Sequence, residues 1–131
     1  MGIAVENLDD SIKLYEDILG IKCYAVEEVK EQKVKTAFFK IGETKIELLE
    51  STDTDGPIGK FIEKKGVGIH HIAFAVKDIE KNLCELQEKS IQLVDIVPRK
   101  GAEGLDIAFV HPKSTQGILI EICEDKKSVN K

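Results

Sequence analysis

The sequence predicts an α+β fold in which two βαβββ modules form a curved mixed sheet that encloses a cleft. The main observation is an internal duplication: residues 3–8 resemble residues 74–79, and residues 37–40 resemble residues 108–111, both at an offset of 71. In each half the apolar patterns read strand, helix and three strands. The last strand of each half also carries an acid inside an apolar run. Such a duplication predicts equivalent acids around one site.

The first module covers residues 1–50, and local signals mark its elements. Asn7 or Asp9 can cap a helix after the first strand, and Gly20 is placed to end that helix. Its four strands are expected at residues 2–5, 21–28, 35–41 and 44–50.

A linker at residues 51–67 should contain a short helix, because Pro57 suits a first helical turn and Gly66 can stop it. The second module covers residues 68–124, and Asp78 is expected to cap its helix. Its four strands are expected at residues 70–76, 91–97, 105–111 and 118–124. Modules and linker together make a single domain of residues 1–131.

Composition excludes several classes of function. Lys plus Arg number 19 against 24 Asp plus Glu, a formal charge of -5, which argues against a nucleic-acid partner. No apolar run is long enough to cross a bilayer, and no signal peptide is visible, so no membrane partner is expected. The widely spaced Cys23, Cys84 and Cys123 form no C-x-x-C pair, which indicates reduced thiols in a cytoplasmic protein.

Strand alternation predicts which side chains face the cleft. If the bulky aliphatic faces of the strands pack on helices, Glu47, His71 and Glu121 face inward, and His70 points to the helix layer or a partner. One imidazole and two carboxylates suit a divalent ion such as Co, Ni, Mn or Zn. Each residue alone also has a simpler interpretation, a hydrogen-bonded core histidine or a solvated acid, and the duplication favours the metal site.

Several motifs resemble those of methylmalonyl-CoA epimerases of the vicinal oxygen chelate (glyoxalase-like) superfamily. They lie at residues 2–5, 46–49, 68–74, 108–114 and 117–121. The resemblance implies paired modules, a divalent metal with four ligands, and a homodimer. By motif, three ligands fall on Glu47, His71 and Glu121. The fourth is a His expected just before Met1, so either the first strand is truncated or that ligand is lost.

The resemblance implies interconversion of (2R)- and (2S)-methylmalonyl-CoA, with an acyl-CoA thioester as the partner. Glu121 is expected to act as both ligand and base, and Glu47 to serve the opposite face. Lys113, Ser114 and Thr115 are expected to bind the carboxylate or thioester end. Thr36 stands where some members carry a catalytic Glu, so the second acid or base has no assignment.

Two alternatives stay open at this point. One is a glutathione-dependent lyase of the same superfamily, which also moves a proton at a metal centre. The other is a module of the same fold that binds a small molecule without catalysis. Metal analysis separates the binding module from both enzymes, and an assay with each thioester separates the enzymes.

Overall fold

The structure, a computed structural model, describes residues 1–126. The chain forms two compact units that divide at His70 and His71. Each unit is described by itself below.

The first unit is a four-stranded sheet with two helices. Its elements are β1 (Gly2–Val5), α1 (Leu8–Leu19), β2 (Ala25–Val29), β3 (Val34–Ile41), β4 (Thr44–Ser51) and α2 (Pro57–Lys65), with a 3-10 turn at Lys30–Gln32. The strands lie in the order β2-β3-β4-β1. β1 pairs with β4 in parallel, and the other two pairs are antiparallel.

The second unit repeats this plan. Its elements are β5 (Gly68–Ala75), which begins in the first unit, α3 (Ile79–Glu88), β6 (Arg99–Lys100), β7 (Asp106–Val110) and β8 (Ile120–Glu124), with 3-10 turns at Ala102–Gly104 and Pro112–Ser114. The order is β5-β8-β7-β6, again with one parallel pair, β5 with β8. The predicted class, paired βαβββ modules with mixed sheets, is confirmed.

The two module helices begin at equivalent caps. The Asn7 side chain accepts a hydrogen bond from the Asp10 amide at 3.0 Å, and the Asp78 side chain accepts one from the Lys81 amide at 3.1 Å. Each cap satisfies a donor that the first helical turn leaves without a partner. Gly20 ends α1 in the left-handed conformation, with φ 69°, which glycine adopts without steric cost.

A second pair of acids supports the same helix starts. The Glu50 carboxylate accepts a hydrogen bond from the Leu8 amide at 2.8 Å, and the Glu124 carboxylate accepts one from the Ile79 amide at 2.9 Å. Glu124 is buried, so losing this acceptor would leave a buried N–H group without a hydrogen bond, which costs about 1–3 kcal/mol of folding free energy. These acids fasten the end of each module's last strand to its helix.

The core of the first unit lies on both faces of its sheet. On one face α1 packs through Leu8 against buried Phe39 and Leu48. On the other face α2 packs through Ile58 against Leu49, Val34 and Ala4. Burying one such large side chain contributes about 1.5–3 kcal/mol, and these contacts hold β4 between two helices.

The core of the second unit lies between α3 and one sheet face. Ile79 and Leu83 of α3 pack against Val110 and Ile122. Ile120 and Val76 also pack there, as the predicted aliphatic faces require. Phe74 is the register partner of Ile122 on β5 but does not join this layer, because its side chain lies outside the α3 cluster and is 53% exposed.

The predicted strand at residues 91–97 does not form as a regular strand. Its ladder is reduced to a bridge between Leu93 and Val110. The Val94 amide donates to the Phe109 carbonyl at 2.8 Å, but the Phe109 amide donates to the Asp95 side chain at 2.9 Å. A carboxylate thus replaces the backbone acceptor that would continue the ladder, which resumes at β6. The expected strand at residues 21–28 is likewise shorter, beginning at Ala25.

Cys23, Cys84 and Cys123 are all in the thiol form, as expected. Within residues 1–126, no helix has both the length and the apolar character that crossing a membrane requires.

Candidate functional site

A buried histidine and a glutamate meet on one sheet face of the second unit. His71 Nε2 lies 3.7 Å from Glu121 Oε1, and their side chains are 6% and 12% exposed. His71 stands on β5 and Glu121 on the neighbouring β8. The sequence predicted that these residues share a face, and the structure brings them together.

Phe109 lies beside both members of this pair. It is directly opposite Glu121 across the β7–β8 ladder, and its ring meets the His71 ring edge to face at 5.9 Å. On the other side of Glu121, the β5 neighbour is Ala73. The Glu121 carboxylate thus stands between an aromatic and a small residue, and its side chain is only 12% exposed.

Glu47 occupies the equivalent position in the first unit. It is directly opposite Phe38 on β3 and beside Gly2 on β1, so an aromatic and a small residue flank it as they flank Glu121. Glu47 alternates with Leu48, which packs toward α1, so its side chain lies on the opposite face. The convergence of Glu47 with the His71–Glu121 pair remains a prediction.

The neighbouring histidine, His70, points elsewhere. Its ring meets Phe61 of α2 at 5.0 Å in an edge-to-face arrangement. This contact with the helix layer agrees with the expected alternation of the two histidines along β5.

The donor set of the pair fits a divalent ion. Zinc–nitrogen and zinc–carboxylate bonds are about 2.0–2.2 Å long, so two ligands of one ion stand up to about 4 Å apart. The separation of 3.7 Å between His71 Nε2 and Glu121 Oε1 lies inside that limit. Imidazole and carboxylate are also the donors that Zn, Co, Ni and Mn accept.

The same face carries a charged group that sequence reasoning missed. The Arg99 Nε lies 3.3 Å from Asp95 Oδ1, and its guanidinium lies over the Phe109 ring, 5.5 Å from the centroid. The second Asp95 oxygen accepts the Phe109 amide. No local pattern predicts these contacts, because they depend on the irregular path of residues 91–100.

The predicted substrate-binding residues lie in the loop that joins β7 to β8. The hydroxyls of two of these residues make hydrogen bonds to the protein backbone. Ser114 Oγ accepts a hydrogen bond from the Gln92 amide at 2.8 Å, and the Thr115 hydroxyl donates one to the Ile118 carbonyl. Lys113 is exposed. Val110 pairs with Ile120, so this loop lies at the same end of the hairpin as Glu121. Its role in binding substrate stays a prediction.

Thr36 is buried, with 2% of its surface exposed. Its register partners are Leu49 on β4 and Glu27 on β2. Glu27 therefore places a half-buried carboxylate across from the position where some relatives are expected to carry an acid.

A second group of acids lies outside the predicted site. Carboxylate oxygens of Asp78, Glu80 and Glu124 lie within 4.8 Å of one another. Asp78 and Glu124 accept hydrogen bonds from backbone amides in the first turn of α3. Glu80 forms an ion pair with Lys126 at 2.5 Å. These contacts account for the cluster as the N-terminal support of α3.

A charge network extends from this cluster to β7. Asp106 Oδ1 lies 2.6 Å from Lys100 Nζ, and Asp106 Oδ2 lies 3.0 Å from Lys126 Nζ. Hydrogen bonds from Lys100 and Lys126 lower the pKa of the Asp106 carboxyl. Hydrogen bonding to Lys126 also lowers the pKa of Glu80 and, conversely, Glu80 and Asp106 raise the pKa of Lys126.

This network predicts a loss of stability in acid. Because the folded pKa of Asp106 is below its unfolded value, its contribution is present above about pH 4 and disappears as pH falls through the folded pKa. Asp106→Asn should therefore be less stable than the wild type at neutral pH and approach it below pH 4. Urea unfolding across pH 2–7 measures this, with Asp17→Asn, an exposed α1 carboxylate, as control. A difference that stays constant with pH would contradict it.

The chain matches a known family. The family model of the Glyoxalase/Bleomycin resistance protein/Dioxygenase superfamily matches residues 1–109. This agrees with the resemblance seen in the motifs.

Individual relatives give closer comparisons. The chain is 45% identical over 126 residues to the uncharacterized protein YqjC of Bacillus subtilis (strain 168), covering 96% of this chain and 90% of that protein. It is 36% identical over 125 residues to the mitochondrial methylmalonyl-CoA epimerase of Dictyostelium discoideum, covering 95% and 75%. A solved methylmalonyl-CoA epimerase in complex with methylmalonyl-CoA and NH4+ matches with a TM-score of 0.91 and 34% identity, over 95% of this chain and 91% of the other.

Proposed function

Because this chain belongs to the glyoxalase/bleomycin resistance protein/dioxygenase superfamily, we propose that it is an epimerase which interconverts (2R)- and (2S)-methylmalonyl-CoA. The observation that carries the proposal is the buried His71–Glu121 pair beside Phe109. Relatives at 36% and 34% identity are methylmalonyl-CoA epimerases, one of them with methylmalonyl-CoA bound, which supports an acyl-CoA thioester as the substrate.

Proton transfer is the task of the two strand glutamates. The hydrogen at C2 of the substrate is acidified by the adjacent thioester carbonyl, so a carboxylate within reach can remove it. Glu121, shielded by Phe109 and only 12% exposed, is the proposed base. Epimerisation also requires a proton donor on the other face of C2, and Glu47 is the proposed donor because its surroundings repeat those of Glu121.

His71, Glu121 and Glu47 are also the residues that would hold a divalent ion. Such an ion supplies positive charge that stabilises negative charge developing on the thioester oxygen. The Phe109 ring packs edge to face against His71, and the small Ala73 is the β5 neighbour of Glu121. Lys113, at the same end of the β7–β8 hairpin as Glu121, is the proposed contact for an anionic part of the substrate, and Ser114 and Thr115 shape that loop.

Two remaining parts of the proposal have different grounds: the resemblance implies a homodimer, and the widely spaced cysteines indicate the cytoplasm. We expect the enzyme to work as a homodimer in the cytoplasm. Sedimentation of the purified protein measures its oligomeric state.

The proposal is tested by incubating purified, metal-supplemented protein with (2S)-methylmalonyl-CoA and separating the epimers by chromatography. We expect the (2R) epimer to accumulate until the two are equal. A parallel assay supplies the hemithioacetal of glutathione and methylglyoxal. Formation of lactoylglutathione without epimerisation would replace the proposal with the lyase, and inactivity in both assays would favour a binding module.

A further inference from the structure

Arg99 lies on the same sheet face as the His71–Glu121 pair. It is the direct register partner of Ile107, and Ile107 shares its face with Phe109, two residues further along β7. Directly opposed residues of antiparallel strands project to one side. The next residue, Lys100, therefore faces the other way, where it pairs with Asp106 at 2.6 Å.

Two contacts hold the Arg99 guanidinium in place. Asp95 lies 3.3 Å from its Nε, and the Phe109 ring lies below its central carbon at 5.5 Å. The same ring contacts His71 at 5.9 Å. Arg99 is therefore separated from the His71–Glu121 pair by a single aromatic ring.

The guanidinium still has donors to offer. It carries five N–H groups in a plane, and the ion pair with Asp95 uses the Nε side. The Arg99 side chain is 47% exposed, while the Asp95 side chain is 17% exposed. A cation held by a partly buried acid and a ring is preorganised for a planar oxyanion, which an arginine binds in bidentate geometry.

We propose that Arg99 binds an anionic oxygen group of the acyl-CoA substrate, either the acyl carboxylate or a phosphate of CoA. The inference rests on the proposed function, because it takes the acyl-CoA as the ligand. The chain has a formal charge of -5, so an anionic substrate needs a local cation beside the acids of the site. Arg99 supplies that positive charge on the sheet face that carries His71 and Glu121.

The test measures the Kd of three thioesters by calorimetry. Methylmalonyl-CoA carries both anions, propionyl-CoA lacks the acyl carboxylate, and methylmalonyl-N-acetylcysteamine lacks the phosphates. Arg99→Gln should weaken methylmalonyl-CoA binding about 10- to 100-fold, the range of a charge-assisted hydrogen bond. Its effect should appear mainly in KM, and Arg99→Lys should restore part of the affinity. The matched control is Lys100→Gln, which removes the adjacent charge on the other face.

The three probes identify the anion. If Arg99 binds the carboxylate, Arg99→Gln weakens binding of the N-acetylcysteamine thioester and leaves binding of propionyl-CoA unchanged. If Arg99 binds a phosphate, the variant weakens binding of propionyl-CoA and leaves binding of the N-acetylcysteamine thioester unchanged. Equal Kd values in Arg99→Gln and the wild type, with both folded by circular dichroism, would overturn this inference alone. Wild-type protein that binds methylmalonyl-CoA without epimerising it would overturn the proposed function while the binding comparison still decides on Arg99. Wild-type protein that binds none of the three would overturn both.

Discussion

Replacing Glu121 with Gln is expected to slow proton exchange at C2 of methylmalonyl-CoA by about 10²–10⁴-fold, the usual contribution of a general base. Gln keeps the shape of the side chain and an oxygen that can still contact a metal, but it cannot accept a proton. Substrate affinity and metal content should therefore change far less than the rate. The three quantities are measured on the same preparation.

The control for this variant lies on the same strand. Glu124→Gln makes the same chemical change three residues later, on the opposite face, and keeps an oxygen for the Ile79 amide. It should retain wild-type exchange. If Glu121→Gln retains metal and also exchanges at the wild-type rate, Glu121 serves as a ligand only.

Removing the imidazole of His71 is expected to lower affinity for a divalent ion by more than about 10²-fold. Loss of a residue that only supports a metal ligand typically lowers metal affinity by about 10–100-fold, and His71 is proposed as a ligand itself. Competition titration with Co or Zn against a chromophoric chelator measures this affinity in His71→Ala.

His70→Ala provides the matched control because His70 meets Phe61 of α2 and lies on the other side of β5. It should keep most of the metal affinity. Equal losses in the two variants would show that the proposed assignment of the two histidines is wrong.

The sequence predicted the elements whose signals are local. Asp78 as a cap, Asn7 or Asp9 as the other cap, and the stop at Gly20 each act within one helical turn, so residue type identified them as candidates. The structure shows that Asn7 is the cap of α1. The duplication then predicted that Glu47 and Glu121 stand in equivalent places, and both are flanked by an aromatic residue and a small one.

Other features depended on contacts between distant residues. Glu50 accepts a hydrogen bond from a backbone amide 42 positions away, and Glu124 accepts one from an amide 45 positions away. No local sequence pattern encodes such contacts. The duplication could have indicated that Glu50 and Glu124 are equivalent, because they are separated by the same offset as Glu47 and Glu121. The face of Arg99 depends on the register of the two-residue strand β6, and Asp95 interrupts the ladder just before it.

Deuterium incorporation at C2 of methylmalonyl-CoA in heavy water is the sharpest test of epimerisation by this protein, because it reports proton removal whichever epimer results. If the protein is an epimerase, its wild-type, metal-loaded form exchanges this hydrogen rapidly, Glu121→Gln does so far more slowly, and Glu124→Gln does not differ from the wild type. A folded, metal-loaded wild-type protein that binds the thioester but incorporates no deuterium would contradict it.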